Sequence, residues 1–269
     1  MTKIIQISDI HIVPEGQLAY EKVDTAAALA ETVATINRWL PAIGPVDMVI
    51  VTGDVTEHGT GEEYRRFLEI MAPLHLPWRA VPGNHDAREP MRESLTASGW
   101  MPESGPIDWE AEFDDLAVIC LDTLVEGRPH GELAAESLAR LSARLAVLGD
   151  KPVLLGLHHP PIASGIAAMD ANNLHNAREL RDVIAGYRGE VRIVCGHLHR
   201  SIAGLVDGRI CQVCPGTSHA VTLDQRADAG NSLTVEPGAM MLHELRGGVL
   251  LSHWIPVGRF DGPYPFLGV

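Results

Sequence analysis

Five short stretches of this sequence carry side chains suited to metal and phosphate chemistry. They are Asp9-x-His11, Gly53-Asp54, Gly83-Asn84-His85-Asp86, His158-His159-Pro160-Pro161 and Gly196-His197-x-His199. Carboxylates and imidazoles suit zinc, iron or manganese, and no thiolate is needed. An Asp-x-His on extended backbone sends both side chains to one side, because the strand period is two. Asp9 and His11 are therefore expected to grip one ion together, and His197 and His199 to do the same from another strand. A carboxylate has two oxygens, so Asp54 is a candidate bridge between two ions. Two cations about 3.5–4 Å apart can hold both the attacking and the leaving oxygen of an in-line phosphoryl displacement. Taken singly, each motif has an ordinary explanation: Gly-Asp is a turn, HHPP a loop with a proline stop, His-x-His a pair of surface histidines. Their joint placement argues for a site. Each follows an apolar run: IIQIS, MVIVT, RAV, VLLGL and VRIVC.

Those runs read as strands, over Lys3–Ser8, Met48–Thr52, Trp78–Val81, Leu116–Leu121, Val153–Leu157 and Arg192–Cys195. Further strands are expected at Ile202–Val206, Arg209–Val213, Ala239–Leu245 and Val249–Trp254, the last two joined by a turn at Arg246-Gly247-Gly248. Glu21–Leu40 reads as a helix, with Leu29, Val33, Ile36 and Leu40 at helical spacing. Glu62–Met71, Glu132–Leu148 and Ala177–Ala185 are the other helix candidates. Parallel βαβ units followed by late hairpins predict an α/β layered sandwich in one domain. In open α/β sheets the carboxyl ends of the strands face one crevice, so the five motif loops are expected to converge there. The domain is expected to span residues 1–257, with 258–269 as an irregular tail at an oligomer contact.

The chain has 269 residues, 46% of them hydrophobic, enough for a sizeable core. A formal net charge of −14, from 21 basic and 35 acidic residues, argues against a nucleic-acid polymer as partner, because no basic stripe neutralises its phosphates. A small anionic substrate is compatible with that charge once cations are bound. With no run of 18 apolar residues and no leader-like N-terminus, a cytoplasmic protein away from membranes is expected. Of the four cysteines, Cys211 and Cys214 form a lone C-x-x-C in a strand-like run, read with Cys120 and Cys195 as core thiols.

The ordered set D-x-H, G-D, G-N-H-D, H-H-P-P, G-H-x-H resembles the calcineurin-like metallophosphoesterase family over about residues 3–220. GDVTEHG (Gly53–Gly59), HHPPIASGIAAMD (His158–Asp170) and PGTSHAV (Pro215–Val221) are similar to its class III cyclic nucleotide phosphodiesterases and bacterial glycerophosphodiesterases. The resemblance implies a four-layer αββα sandwich with two metal ions, iron, manganese or zinc, at the strand ends. It implies Asp9, His11 and His199 on the first ion, Asp54 as the bridge, and Asn84, His158 and His197 on the second. It implies further that His85 contacts the phosphate and assists the leaving group, with Asp86 orienting His85 or its loop. His219 is implied as a substrate-pocket histidine. Glu57 departs from the pattern, since relatives often carry Asn or Asp there. Asn176 also matches a family position. His58, His130 and His175 lie in loops near the motifs, whereas His75, His243 and His253 lie in apolar surroundings.

The implied activity is hydrolysis of a small phosphodiester, a cyclic nucleotide or a glycerophosphodiester, by a hydroxide bridging the metals. The alternatives are a broad phosphomonoesterase, which the same ligands would serve, a DNA nuclease, which the acidity disfavours, and a metal-free interaction scaffold, which the full ligand set disfavours. Relatives form dimers and larger assemblies, so a homo-oligomer is expected.

Overall fold

A strand covered on both faces must be apolar throughout, and β1 (Lys3–Ile7), KIIQI, is buried along its length. Ile5 and Ile7 face a layer of helices, while Ile4 enters a second core between two sheets. The same division recurs in β2 (Met48–Thr52), with Val49 and Val51 toward the helices and Met48 and Ile50 toward the other sheet. The structure is a computed structural model and describes residues 1–266. After β1 the order is α1 (Thr25–Ile43), β2, α2 (Gly61–Met71), β3 (Trp78–Val81) and α3 (Arg88–Ser94). Then come β4 (Trp109–Glu112), β5 (Ala117–Cys120), α4 (Ala135–Leu148), β6 (Val153–Gly156), α5 (Ala167–Asp170), α6 (Ala177–Ala185) and β7 (Val191–Cys195). The last strands are β8 (Ile202–Val206), β9 (Arg209–Val213), β10 (Ala220–Val221), β11 (Leu233–Thr234), β12 (Ala239–Arg246) and β13 (Val249–Pro256).

Among the described residues two large sheets form, in the orders β13-β12-β1-β2-β3 and β4-β5-β6-β7-β9-β8, and β10 pairs with β11 in a separate two-stranded sheet. β1, β2 and β3 are parallel, as are β5, β6, β7 and β9. The two large sheets meet face to face through Ile4, Ile50 and Val81 on one side and Val118, Leu154 and Val194 on the other. Leu29, Val33, Tyr64, Phe67 and Met91 of α1, α2 and α3 cover the first sheet. Leu141, Leu145, Leu180 and Ile184 of α4 and α6 cover the second. The result is the expected four-layer αββα sandwich. Each large aliphatic side chain so buried contributes about 1.5–3 kcal/mol.

One polar chain crosses the inter-sheet core. Arg192 of β7 donates to Ser252 Oγ (2.8 Å) and to the Leu250 carbonyl (2.6 Å) of β13. Ser252 lies 2.8 Å from His243 Nδ1, and His243 Nε2 lies 3.0 Å from Gln6 Oε1. Gln6 Nε2 then donates to Thr52 Oγ1 (2.8 Å) and the Cys195 carbonyl (3.0 Å). This chain ties together the ends of β2 and β7, from which two of the motif loops spring.

Some boundaries differ from those expected. The first helix starts at Thr25 because Asp24 caps it, accepting from Ala27 N at 2.9 Å, while Ala19 and Val23 pair in a local bridge. α4 starts at Ala135 because Gly131 is drawn into bridges with Leu124 and Leu174, and Glu132 N bonds to the Thr123 carbonyl. β4 and the short helices α3 and α5 were not anticipated; WEAE of β4 is too short and polar to signal a strand. The β12–β13 turn is as read: Arg246 pairs with Val249, and Gly247 and Gly248 both take the positive φ (59° and 82°) of a two-residue hairpin. Residues 258–266 carry no helix or strand. Gly258 is tied to α1 through Thr35 Oγ1 (3.1 Å) and Arg38 (2.7 Å). Residues 267–269 of the expected tail lie outside the described residues.

Candidate metal centre

The motif loops do meet, by a route other than strand alternation. β1 ends at Ile7, and Asp9 and His11 both lie beyond it with left-handed φ, 54° and 53°. Asp54 (47°), His197 (71°) and His199 (51°) share that conformation. It is uncommon for residues other than glycine and costs on the order of 1 kcal/mol or more each. The expectation that Asp9 and His11 face one way through extended backbone is therefore corrected. Two left-handed residues flanking a core residue, Ile10 or Leu198, turn both polar side chains inward. The loops hold one another: Ile10 N and His11 N both donate to the Asp54 carbonyl, at 2.8 and 2.9 Å. Two glycines of the motifs are there for room. A Cβ on Gly53 would run into the His158 ring, and one on Gly83 into the carboxylate and main-chain nitrogen of Asp54.

The ring nitrogens can be accounted for one by one. His11 Nδ1 donates to Glu57 Oε2 at 2.7 Å, which leaves Nε2 pointing toward His199 Nε2, 3.1 Å away. His158 Nδ1 donates to the Thr52 carbonyl at 2.8 Å, leaving Nε2 3.2 Å from Asn84 Oδ1. Asp54 Oδ2 lies between these two groups, 3.5 Å from His11 Nε2 and 3.3 Å from His158 Nε2. Asp54 Oδ1 accepts from His85 N at 2.9 Å. Asp9 Oδ1 accepts from His197 N at 2.8 Å. His159, by contrast, has both ring nitrogens engaged, with Thr123 Oγ1 at 2.8 Å and the Pro129 carbonyl at 3.2 Å.

Three buried polar atoms of the same residues have no hydrogen-bond partner: Asp9 Oδ2, His197 Nε2 and His199 Nδ1. An unpartnered buried group costs roughly 1–3 kcal/mol. A donor set of imidazoles, carboxylates and a carboxamide, with Asp9 Oδ2 and His197 Nε2 unsatisfied on it, fits a pair of cations; His199 faces the set through its other nitrogen, Nε2, 3.5 Å from Asp9 Oδ1. The charges agree. Burial pushes the Asp9 carboxyl up to about 6 against the opposing pull of His158. Asp54 is held well below the ordinary carboxylate range, because His158 and His85 more than offset its burial. Burial lowers His11 and His158, but the neighbouring Glu57 and Asp54 outweigh it and carry them to about 8 and about 9. His197 and His219 are depressed by burial and neighbouring imidazoles to about 3 and about 4.

A cavity of about 260 Å³ opens onto these groups, lined by His11, Asp54, Asn84, His85, His197, His199 and His219. Tyr20, Pro129, Met169, Asn172, Val221, Asn231, Ser232 and Leu233 complete its wall, and no Lys or Arg is among its lining residues. A phosphate entering it would meet a carboxylate, imidazoles, carboxamides and hydroxyls but no permanently charged side-chain cation, so bound ions would supply most of the positive charge.

The family model described as calcineurin-like phosphoesterase matches residues 2–201. The chain belongs to this family. A probable glycerophosphodiester phosphodiesterase of Arcobacter nitrofigilis is 38% identical over 267 residues, covering 98% of this chain and 96% of its own. A 3′,5′-cyclic adenosine monophosphate phosphodiesterase of Pseudomonas aeruginosa is 31% identical over 232 residues, 83% of this chain and 82% of its own. A dimetal phosphatase from Danio rerio shares the fold, with a TM-score of 0.61 at 16% identity, covering 96% of this chain and 99% of that one.

In this phosphoesterase the remaining singled-out residues fall into place. Asp86 accepts from Val55 N (3.0 Å), Thr56 N (3.1 Å), Gly83 N (2.9 Å) and Tyr64 Oη (2.9 Å), so it clamps two motif loops together. The His85 ring is held instead by the Glu57 carbonyl, 3.0 Å from Nδ1. His219 packs against His199 with ring centroids 4.5 Å apart. Asn176 pairs with both main-chain groups of Leu133 at 2.9 Å, a structural use. His58 binds Glu63 at 2.7 Å beside the α2 capping box. His130 and His175 stack face to face, centroids 3.9 Å apart at an interplanar angle of 4°. One ion cannot lie in both of those ring planes, so the pair is read as packing at the rim. His243 is buried in the polar chain, and His253 reaches Glu244 at 3.3 Å. Tyr20, Asn172 and Asn231 line the cavity, yet no pattern in the sequence marks isolated loop residues of this kind.

Proposed function

We propose that this phosphoesterase is a binuclear-metal phosphodiesterase acting on small diesters, cyclic nucleotides or glycerophosphodiesters. The observation that carries the reading is Asp54 Oδ2, which faces His11 Nε2 at 3.5 Å and His158 Nε2 at 3.3 Å and so can serve two ions at once. Asp9, His11 and His199 would hold one ion with Asp54, and Asn84, His158 and His197 the other. Such ions, when bound, lower the pKa of water and stabilise charge on phosphoryl oxygens. The chain's own residues do the rest. His85, tethered through Nδ1, has Nε2 left to hold a proton for the leaving oxygen. Asn84 and His219 line the cavity where the phosphate would sit. The small cavity volume favours a small substrate over a polymer, and a diester brings less negative charge into a carboxylate-rich site than a monoester does.

The test is a hydrolysis screen of protein reconstituted with manganese, zinc or iron, alongside metal analysis. Two ions per chain are expected, with higher kcat/KM on cyclic nucleotides or glycerophosphodiesters than on monoesters. Higher kcat/KM on simple phosphomonoesters would overturn the diesterase reading in favour of a monoesterase. Full activity with one ion would overturn the binuclear one. The four cysteines are buried and unpaired, in keeping with a reducing compartment such as the cytoplasm. Among the described residues no helix is long and apolar enough to cross a membrane. Exposed Trp254, Phe260 and Tyr264 near the end of the chain support a homo-oligomer, to be measured by light scattering.

A further inference from the structure

Glu57 touches a candidate metal ligand through its carboxylate and the candidate proton carrier through its main chain. Its carboxylate accepts from His11 Nδ1 at 2.7 Å, and its main-chain carbonyl accepts from His85 Nδ1 at 3.0 Å. The other carboxylate oxygen is 3.6 Å from His85 Nδ1, and the two rings stand edge to face with centroids 4.7 Å apart. The backbone of Glu57 is itself pinned. Its N–H donates to the Ile12 carbonyl at 3.0 Å, next to the bridge that pairs Ile12 with Thr56. Carbonyl and side chain are thereby aimed at different rings from one fixed point.

We infer that Glu57 is a positioning residue that sets the affinity of the ion held by His11 through its carboxylate and, independently, the orientation of His85 through its backbone. A carboxylate on the far nitrogen of a ligating imidazole fixes its tautomer and makes the near nitrogen more basic. The His158 ring has a neutral carbonyl in the equivalent place, that of Thr52. The two halves of the site are therefore supported unequally, and the charge of Glu57 acts on one of them only. Glu57→Gln keeps an oxygen for His11 Nδ1 and keeps the backbone carbonyl for His85, but removes the charge.

The inference rests on the binuclear reading, and the experiment separates the two. Metal-free wild type, Glu57→Gln and Glu57→Asp are titrated with manganese or zinc against a chelating dye. Metal-free melting temperatures are recorded, and ion-saturated rates are measured on an alkyl diester and on bis(p-nitrophenyl) phosphate. In Glu57→Gln one ion should bind about 10–100-fold more weakly, with the affinity of the other ion and the ratio of the two rates as in wild type. Glu57→Asp keeps the charge one methylene short and should recover part of the affinity; it decides the matter if the glutamine variant does not fold. Unchanged affinities for both ions would overturn the inference. So would weakening of both together with a lower metal-free melting temperature, which would make Glu57 a loop brace. A changed rate ratio with both affinities intact would overturn it too, by assigning the carboxylate to His85. Fewer than two ions in wild type counts against the binuclear reading alone, since the Glu57 result is the variant-to-wild-type ratio at the ion that remains.

Discussion

Replacing His243 with glutamine should flatten the pH dependence of stability by an amount that the structure allows to be worked out. His243 is fully buried between Ser252 and Gln6. Ser252 Oγ already accepts from Arg192, so its own proton goes to His243 Nδ1, and Nε2–H goes to Gln6 Oε1. A second proton on the ring has no acceptor. Burial, the Arg192 charge and His253 accordingly hold this imidazole down at about 3. In the unfolded chain it titrates near 6.5. Between those values the unfolded state binds a proton that the folded state refuses. Stability is therefore complete above about pH 6.5 and falls as pH drops toward 3. Linkage over that window makes the loss between pH 7 and pH 5 roughly 2 kcal/mol from this one group. With a urea m-value near 3 kcal/mol/M, that is a midpoint shift of about 0.7 M. Glutamine offers a donor and an acceptor to the same neighbours and does not titrate. Urea unfolding of both proteins at pH 7 and pH 5, at one ionic strength and free of metal, isolates the term, because all other titrating groups are common to both. His243→Gln should lose about 2 kcal/mol less than wild type over the interval. Equal losses in the two proteins would refute the reasoning.

Three further outcomes are expected at the metal centre. His85→Ala should retain both ions and lose about 10²–10⁴-fold in rate on an alkyl diester, the usual contribution of a positioned acid, but little on bis(p-nitrophenyl) phosphate, whose leaving group departs without a proton. Equal losses on the two substrates with metal content intact would leave a phosphate-binding role and eliminate the acid role. Asp54→Asn keeps an oxygen for His85 N but removes the shared charge. Metal content should drop below two per chain and the rate fall by roughly 10²-fold or more, corresponding to several kcal/mol of charge stabilisation. A variant with two ions and normal rate would exclude the bridging role. Gly83→Ala pushes a methyl group into Asp54. It should lower metal content and melting temperature together, and an active variant with normal metal content would show that the loop has more room than the distances allow.

How much was legible in the sequence depended on the kind of force at work. Runs such as MVIVT and VLLGL are apolar on both faces, and only a sheet covered on both sides satisfies them, so the layered α/β sandwich followed from the sequence alone. The five motifs announced themselves by chemistry, because Asp, Asn and His directly after such runs do nothing for a core. The choice of His158 over its neighbour, first made by resemblance, acquires a physical reason only in three dimensions. The nitrogens of His159 are taken by Thr123 and Pro129, residues some thirty positions away. The left-handed backbone at Asp9, His11, Asp54, His197 and His199 was equally invisible, since nothing in a side chain's identity compels a strained φ. The packing of neighbouring loops imposes it, as when Ile10 and His11 share the carbonyl of Asp54. Glu57, Asp86 and His243 make the same point. Their residue types were on view from the start, but a hydrogen-bond acceptor acquires a task only when folding sets a particular donor against it, as when His11 meets Glu57 across 46 positions and Val55 N meets Asp86 across 31.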